Sequence, residues 1–487
     1  TDAFANLPIA NRSFSALASL APGVDSNGNR LGGGGSTNFM MDGVSTMDDG
    51  SNRLLMQLNA ESISEVKVLV SNYQAEYGRS SGSQITAVTK SGSNHFHGAL
   101  YDVERNSDWN PNSKTNILNG VPKPVSQERD WGYSIGGPVG KPGGNNKLFF
   151  FYAQEFEPRT EGNRVTSYRM PTALERKGDF SQTTDNNGRA YPYIKNPASS
   201  APCTASNTAG CYADGGVVGR IPSGDLYSLG QRILNLYPLP NCPENCPTWT
   251  PDANYNFQVT SPIQHLLGWQ PVVKLDYQAS EALRLSMKYS AWDQRNQVQF
   301  GTLPGFNDTE MYQPTVRTWA VTADYSLNPT TFVEATYGQS LNKQTGCSLG
   351  LAGGPSFCTS ALPVNDGASL AGAGLADWPF LFPDATIIDP RYYQFEALNA
   401  MQPPIWDGTR ISKVPSFSWG NRISNAPPNI PYPGILNTSS TWDLTVNLTK
   451  VSGRHTWKTG VYTTSALKRE PNGAGTSAAL GSVNFQQ

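Results

Sequence analysis

Four histidines, six cysteines and a few Asp/Asn/Gly turns are the residues of this 487-residue chain whose types and spacing could do chemistry. His95-Phe96-His97 sets two imidazoles on one face of an extended strand, which suits chelation. Zinc and its neighbours require further protein ligands, however, and neither His265 nor His455 is near in sequence. We read His95 and His97 as lining an interior face. Asp25-Ser26-Asn27-Gly28-Asn29 places oxygen donors at alternate positions, like the opening of a calcium loop, yet Ser36 stands where the bidentate acid belongs. That stretch and Asp48-Asp49-Gly50-Ser51-Asn52 read as solvated turns. The glycine run Gly32–Gly35 is followed by no Gly-Lys-Ser/Thr and is not a phosphate loop. Nothing resembling a nucleophile–base–acid set or a catalytic carboxylate pair has supporting local sequence. The expectation is a protein that is not an enzyme, with no metal and no cofactor.

The cysteines fall into three close pairs, Cys203/Cys211, Cys242/Cys246 and Cys347/Cys358, each in Pro/Gly/Asn-rich sequence. Local disulfides pinning loops in an oxidising compartment are the reading, although spacing does not fix connectivity. For Cys242-Pro243-Glu244-Asn245-Cys246 the competing reading is half a zinc site, which lacks nearby partners.

The elements that would hold such residues are strands. Charged residues make up only 15% of the chain, Gly (47) and Pro (36) are plentiful, and the net charge of -2 gives no reason to expect a nucleic-acid partner. No apolar run reaches the roughly 18 residues of a membrane helix. From His95 onward, alternating runs recur at 95–105, 129–136, 147–156, 268–278, 282–293, 315–327, 331–341, 440–450 and 454–467. On one face stand Leu283, Leu285, Met287, Tyr289 and Ala291, and on the other Arg284, Ser286, Lys288 and Ser290. Trp442, Leu444, Val446 and Leu448 likewise oppose Asp443, Thr445, Asn447 and Thr449. Short turns follow the even-numbered strands and long loops the odd ones, the habit of up-and-down membrane barrels. Aromatics near strand ends (Trp269, Tyr277, Trp319, Trp442, Trp457) suit membrane interfaces. A half-buried antiparallel sheet in water alternates in the same way.

Residues 1–93 read as a separate small α/β unit. Phe14, Leu17 and Leu20 recur at helical spacing after Ser13, and Phe39 to Val44 forms a strand turned by Asp42-Gly43. Two further strands lie at Ile63–Val68 and Gln84–Thr89, with a Gly/Ser-rich turn between them.

Within that region Glu65-Val66-Lys67-Val68, Ala75-Glu76-Tyr77-Gly78-Arg79, Val88-Thr89-Lys90-Ser91-Gly92 and Phe96-His97-Gly98 resemble the plug-to-barrel junction of TonB-dependent outer-membrane transporters. Phe149-Phe150-Phe151 and Gly178-Asp179-Phe180-Ser181 are similar to the Oar-like branch. The resemblance implies a plug over 1–93 and the N-terminal portion of an outer-membrane barrel over 94–487, with long extracellular loops near 158–267 and 343–437. About nine strands against the roughly 22 of plugged transporters would make this a fragment: an incomplete wall with two open edges. The chain opens without a signal peptide and closes without a terminating feature, which fits a piece of a longer protein.

The fold expected is therefore mainly β, a small plug followed by antiparallel transmembrane strands in the bacterial outer membrane. The partners implied are outer-membrane lipid, a TonB-type coupling protein reached through a segment upstream of Thr1, and a small solute, oligosaccharide or peptide. Ligand-binding candidates are Arg30, Asn38, Trp109, Tyr191, Tyr193, Trp249 and Trp406, because aromatic faces beside amide donors suit such solutes. Gly78, Arg79, Gly82, Lys90 and Gly92 mark the hinge between plug and wall. Two rival readings are a structural or adhesion barrel with a static plug, and a secreted soluble β-protein.

Overall fold

A run such as Leu283-Arg284-Leu285-Ser286-Met287-Lys288 separates apolar from polar side chains only when it is extended, since period two is the period of a strand. The computed structural model chiefly describes residues 37–48, 53–56, 59–70, 82–227, most of 230–299, 309–348 and 435–469, with short pieces at 22–24, 416–418, 424–427 and 482–484. The helix expected over Ser13–Leu20 lies outside the described residues.

The N-terminal unit holds β1 (Asn38–Met41), β2 (Val44–Ser45), β3 (Met47–Asp48), β4 (Arg53–Leu54), β5 (Ile63–Leu69) and β6 (Gln84–Thr89). Four of these form a sheet in the order β2-β1-β6-β5, with β1 and β6 parallel. Asp42 and Gly43 both take positive φ, 46° and 82°, the type I′ geometry that joins β1 tightly to β2.

The wall begins with β7 (His97–Asn106), β8 (Val125–Pro138) and β9 (Leu148–Gly162). Inside the next connection lie β10 (Val165–Tyr168), β11 (Ala213–Asp214), β12 (Val217–Val218) and β13 (Phe257–Thr260). The wall resumes with β14 (Gln264–Gln278), β15 (Leu283–Arg295), the short β16 (Val298–Gln299), β17 (Thr309–Asn328) and β18 (Thr331–Ser348). After β19 (Ser416–Ser418) it continues through β20 (Ile435–Ser452) and β21 (His455–Arg469), and β22 (Ser482–Asn484) pairs with β19. Nine wall strands pair antiparallel with their sequence neighbours, from β7 to β21. Among the described residues the outer edges of β7 and β21 carry no further strand.

Several strands outrun the ends that alternation marks. Strand β9 continues with Glu157–Glu161 against Gln264–Gly268 and Gly162 against Val125, and β18 and β20 stay paired as far as Gly346 and Ile435. Backbone pairing persists there after the apolar face has ended, and apolar alternation has no means of signalling it. The loop between β7 and β8 contains a short helix, α1 (Lys114–Leu118), whose N-cap Ser113 Oγ accepts from Asn116 N at 3.1 Å.

Burial across the wall is inverted relative to a soluble sheet. Ser290, Thr318, Ser340, Thr441, Asp443 and Lys288 are buried, whereas Met287, Val321, Tyr337, Leu444 and Leu448 on the opposite face are exposed. The polar face is covered by the N-terminal unit. Its few apolar members, Phe151, Ala153, Val272 and Val316, join Phe39, Met41, Met47, Met56, Ile63, Ile85 and Ala87 in one shared core.

Outward aromatics stand at two levels. Trp131, Phe156 and Trp269 occupy one rung of β8, β9 and β14, and Trp131 stacks on Phe156 at 4.4 Å. On the far strands Trp319 and Trp442 sit 5.8 Å apart. Near the short turns stand Tyr277, Tyr325 and Trp457. Trp319 precedes the β17 end at Asn328 by nine residues. At about 3.3 Å per residue and a tilt of roughly 40°, that rise is about 23 Å, close to the ~25 Å apolar band of an outer-membrane wall.

Candidate functional site

The N-terminal unit meets the wall through charge rather than grease at three places. The first is the β1–β2 turn. The left-handed backbone of Asp42 aims its carboxylate at the wall, where Lys288 Nζ stands 3.2 Å from Oδ2 and Lys274 Nζ 3.8 Å from Oδ1. Thr89, at the end of β6, donates its N–H and its hydroxyl to the same carboxylate, both at 3.0 Å. Burial alone would push the Asp42 carboxyl up, but Lys288, Lys274 and the Thr89 hydrogen bonds outweigh it and hold it below the usual carboxylate range. Lys274 also donates to Thr89 O at 3.2 Å.

At the second place the wall satisfies an edge strand with side chains. On the two-residue strand β2, Ser45 N donates to Asp443 Oδ2 at 2.7 Å, and Ser45 O accepts from Ser340 Oγ at 2.6 Å. Tyr462 donates to the other Asp443 oxygen at 2.8 Å. Both backbone groups of Ser45 are thus bonded without another strand, which closes an edge that would otherwise be costly to bury. The third contact is an ion pair of 2.7 Å from Lys468 on β21 to Asp48 on β3. A cavity of about 360 Å³ separates the β1–β6 sheet from the wall beside Asp42 and Lys288.

A wall with an apolar outer face and a polar inner face, with the N-terminal unit held against it by charge, is now in place, and a family profile described as "Outer membrane beta barrel domain" matches residues 88–372. The chain belongs to that family. This outer-membrane barrel protein is also similar to the TonB-dependent transporter Oar of Myxococcus xanthus, at 34% identity over 206 residues, which is 38% of this chain and 18% of the relative. The Oar-like resemblance read from the motifs is therefore carried by an alignment as well. Among solved structures it is similar to the outer membrane transporter YddB of Escherichia coli (11% identity, TM-score 0.43, 94% of this chain and 46% of that one). It is also similar to a mutant of the ferric enterobactin receptor PfeA of Pseudomonas aeruginosa (12%, TM-score 0.37, 88% and 41%). The chain thus spans less than half the length of these relatives. The protein resides in the bacterial outer membrane.

The ligand candidates of the barrel protein scatter. Asn38 is buried in β1, where its Nδ2 donates to Gln84 Oε1 at 3.2 Å, rather than standing at an outward tip. Trp109 is exposed beyond the end of β7. Tyr191 and Tyr193 meet edge to face at 5.3 Å, and Trp249 donates to Tyr255 O at 2.7 Å within the same loop. Arg30 and Trp406 lie outside the described residues, as do Gly78 and Arg79. At the junction, Gly82 O accepts from Tyr73 at 3.1 Å and Lys90 lies 3.6 Å from Glu61. Gly92 serves close approach: a Cβ there would meet Gly137 O at 2.8 Å and Phe150 N at 2.7 Å, so the chain passes tightly against β8 and β9.

The β9–β14 loop is folded rather than irregular. Disulfides join Cys203 to Cys211 and Cys242 to Cys246, whereas Cys358 lies outside the described residues. Asp179 accepts from Arg220 at 2.9 Å, and the hydroxyl and N–H of Ser181, together with the Arg220 guanidinium, hold its carboxyl below the usual range. This loop also touches another connection: Asn425 O accepts from Arg169 N at 2.8 Å, and Asn254 Nδ2 donates to Ser424 Oγ at 3.1 Å.

Asp42, Ser45, Lys274, Lys288, Ser340 and Asp443 are the residues that sequence reasoning passed over. The available signal was a lysine on the polar side of two neighbouring wall strands, together with the Asp42-Gly43 turn of the N-terminal unit.

Proposed function

We propose that this chain is the plug and first wall segment of a TonB-dependent transporter that moves a scarce solute across the outer membrane. Residues 1–93 act as the plug, the outer loops capture the solute, and an inner-membrane coupling protein acts through a segment upstream of this chain. The reading rests chiefly on the polar wall face, which is occupied by the N-terminal unit through ion pairs and side-chain-to-backbone bonds at Asp42, Ser45 and Asp48. These contacts and the shared apolar core around Phe151 and Val272 are all made by side chains of the wall, so the unit can be released without breaking the wall's strand ladder. The loop aromatics Tyr191 and Tyr193 and the amide-rich contact between the two outer loops suit an oligosaccharide, a peptide or an aryl chelate.

The test is a reversible lock in the full-length protein. Ser45→Cys with Ser340→Cys places a disulfide across the plug–wall contact. Cells are grown on ferric chelates, oligosaccharides or peptides as sole source of iron, carbon or nitrogen. Growth that depends on the protein should stop under oxidation, resume on reduction, and fail in an unlocked strain given a protonophore. Undiminished growth with the lock closed would favour a static plug and overturn the proposal.

A further inference from the structure

In the buried part of the cavity beside Asp42, two ammonium groups face one carboxylate. Two lysines, Lys274 and Lys288, enter it from directly opposed positions on β14 and β15. Like charges directly across a ladder repel. Both are buried, Lys288 at 2% exposure, and they share one carboxylate, that of Asp42. Asp276, next along the same face of β14, is held by Arg284 at 3.0 Å. The other charged residues of the lining, Asp324, Glu334 and Lys458, are exposed at the mouth.

Lys288 Nζ is shielded from solvent and faces Asp42 Oδ2 at 3.2 Å, whereas Lys274 is also engaged by Thr89 O. An ammonium carries three donors, and one shared carboxylate does not occupy all those of two buried lysines. The hydroxyls of Ser286, Thr322 and Thr336 line the same space and add O–H donors. From this juxtaposition we infer that the cavity is a binding site for a small inorganic anion, held by Lys288 and Lys274 with wall hydroxyls around it. The bound anion completes the charge balance between the N-terminal unit and the wall. It also makes the grip between them depend on the anion content of the periplasm.

Bromide is the probe, in crystals of the full-length protein. An anomalous peak is expected within hydrogen-bond reach of Lys288 Nζ. It should be lost in Lys288→Met and strengthened in Asp42→Asn, where the anion has no competitor. Peaks confined to the surface, or an internal peak that persists in Lys288→Met, would overturn the assignment. Should Lys288→Met not fold, the wild-type protein decides the matter. Its thermal midpoint should rise and saturate with bromide relative to gluconate at equal ionic strength, and equal midpoints in the two salts would refute the site.

Discussion

Replacing Asp42 with Asn removes the charge that two buried lysines face while leaving the shape of the turn intact. At 3.2 and 3.8 Å, with an effective dielectric of about 20, the two attractions come to roughly 5 and 4 kcal/mol before desolvation and the mutual repulsion of the lysines are charged against them. Breaking a buried pair from one side costs about 3–5 kcal/mol net. Because Lys274 and Lys288 belong to the wall, the loss falls on docking of the N-terminal unit and not on the wall's own ladder. Amide hydrogen exchange over β1 and β6, measured in a weakly coordinating buffer anion, should accelerate by roughly a hundred- to several-thousand-fold, while β14, β15 and β17 stay protected. Asp42→Asn combined with Lys288→Met should recover part of the loss, since the stranded charge is then gone. Unchanged exchange in β1 and β6, or an equal rise throughout the wall, would show that Asp42 does not anchor this interface.

Four further outcomes follow from the same geometry. The folded Asp42 carboxyl titrates below its unfolded value, so its contribution is fully present above about pH 4 and is lost as pH falls through the folded value; protection of β6 should show that acid limb in the wild type and lack it in Asp42→Asn. At Gly338, where a Cβ would meet Val44 Cγ2 at 2.6 Å and the β17 backbone at Trp319 O closer still, Gly338→Val should loosen both the N-terminal unit and the β17–β18 pairing by about 1–3 kcal/mol, read as protease access to residues 37–90 together with faster amide exchange in β17 and β18. Val446→Arg, on the lipid face midway between Trp442 and the β20–β21 turn, should lower wall stability by about 2–4 kcal/mol in denaturant titrations, against roughly 0–1 kcal/mol for Tyr325→Arg near a turn. Cys203→Ser opens a loop of separation eight and should weaken that loop by roughly 2–3 kcal/mol, seen as faster cleavage within 163–263 at an unchanged wall midpoint.

The wall was legible because its two faces meet different solvents. Leu283, Leu285 and Met287 announce themselves against Arg284, Ser286 and Lys288, and each Gly/Ser or Asn-Pro turn marks where the chain reverses. The Asp42-Gly43 turn was equally readable, because few other dipeptides accept two positive φ values. What Asp42 touches was not readable. Its partners lie on β14 and β15, more than 200 residues later, and no local pattern distinguishes a lysine that faces water in a lumen from one that faces a carboxylate. The strand ends were missed for a related reason: beyond the aromatic girdle both faces are wet, so pairing continues without hydropathic alternation. The glycines of the junction were read as hinges, yet Gly92 reports a squeeze between two backbones, which sequence alone cannot tell apart from a need for flexibility.

Ser45 meets Asp443 across 398 positions and Asp48 meets Lys468 across 420. Bonds of that span cannot form until nearly all of this chain has left the ribosome and been exported, and they close slowly because so much intervening polymer must be ordered first. The N-terminal unit is made before the wall strands that hold it. During export its carboxylates and the lysines that will receive them travel apart, so the machinery that assembles the cylinder must bend the staves around a piece already in hand.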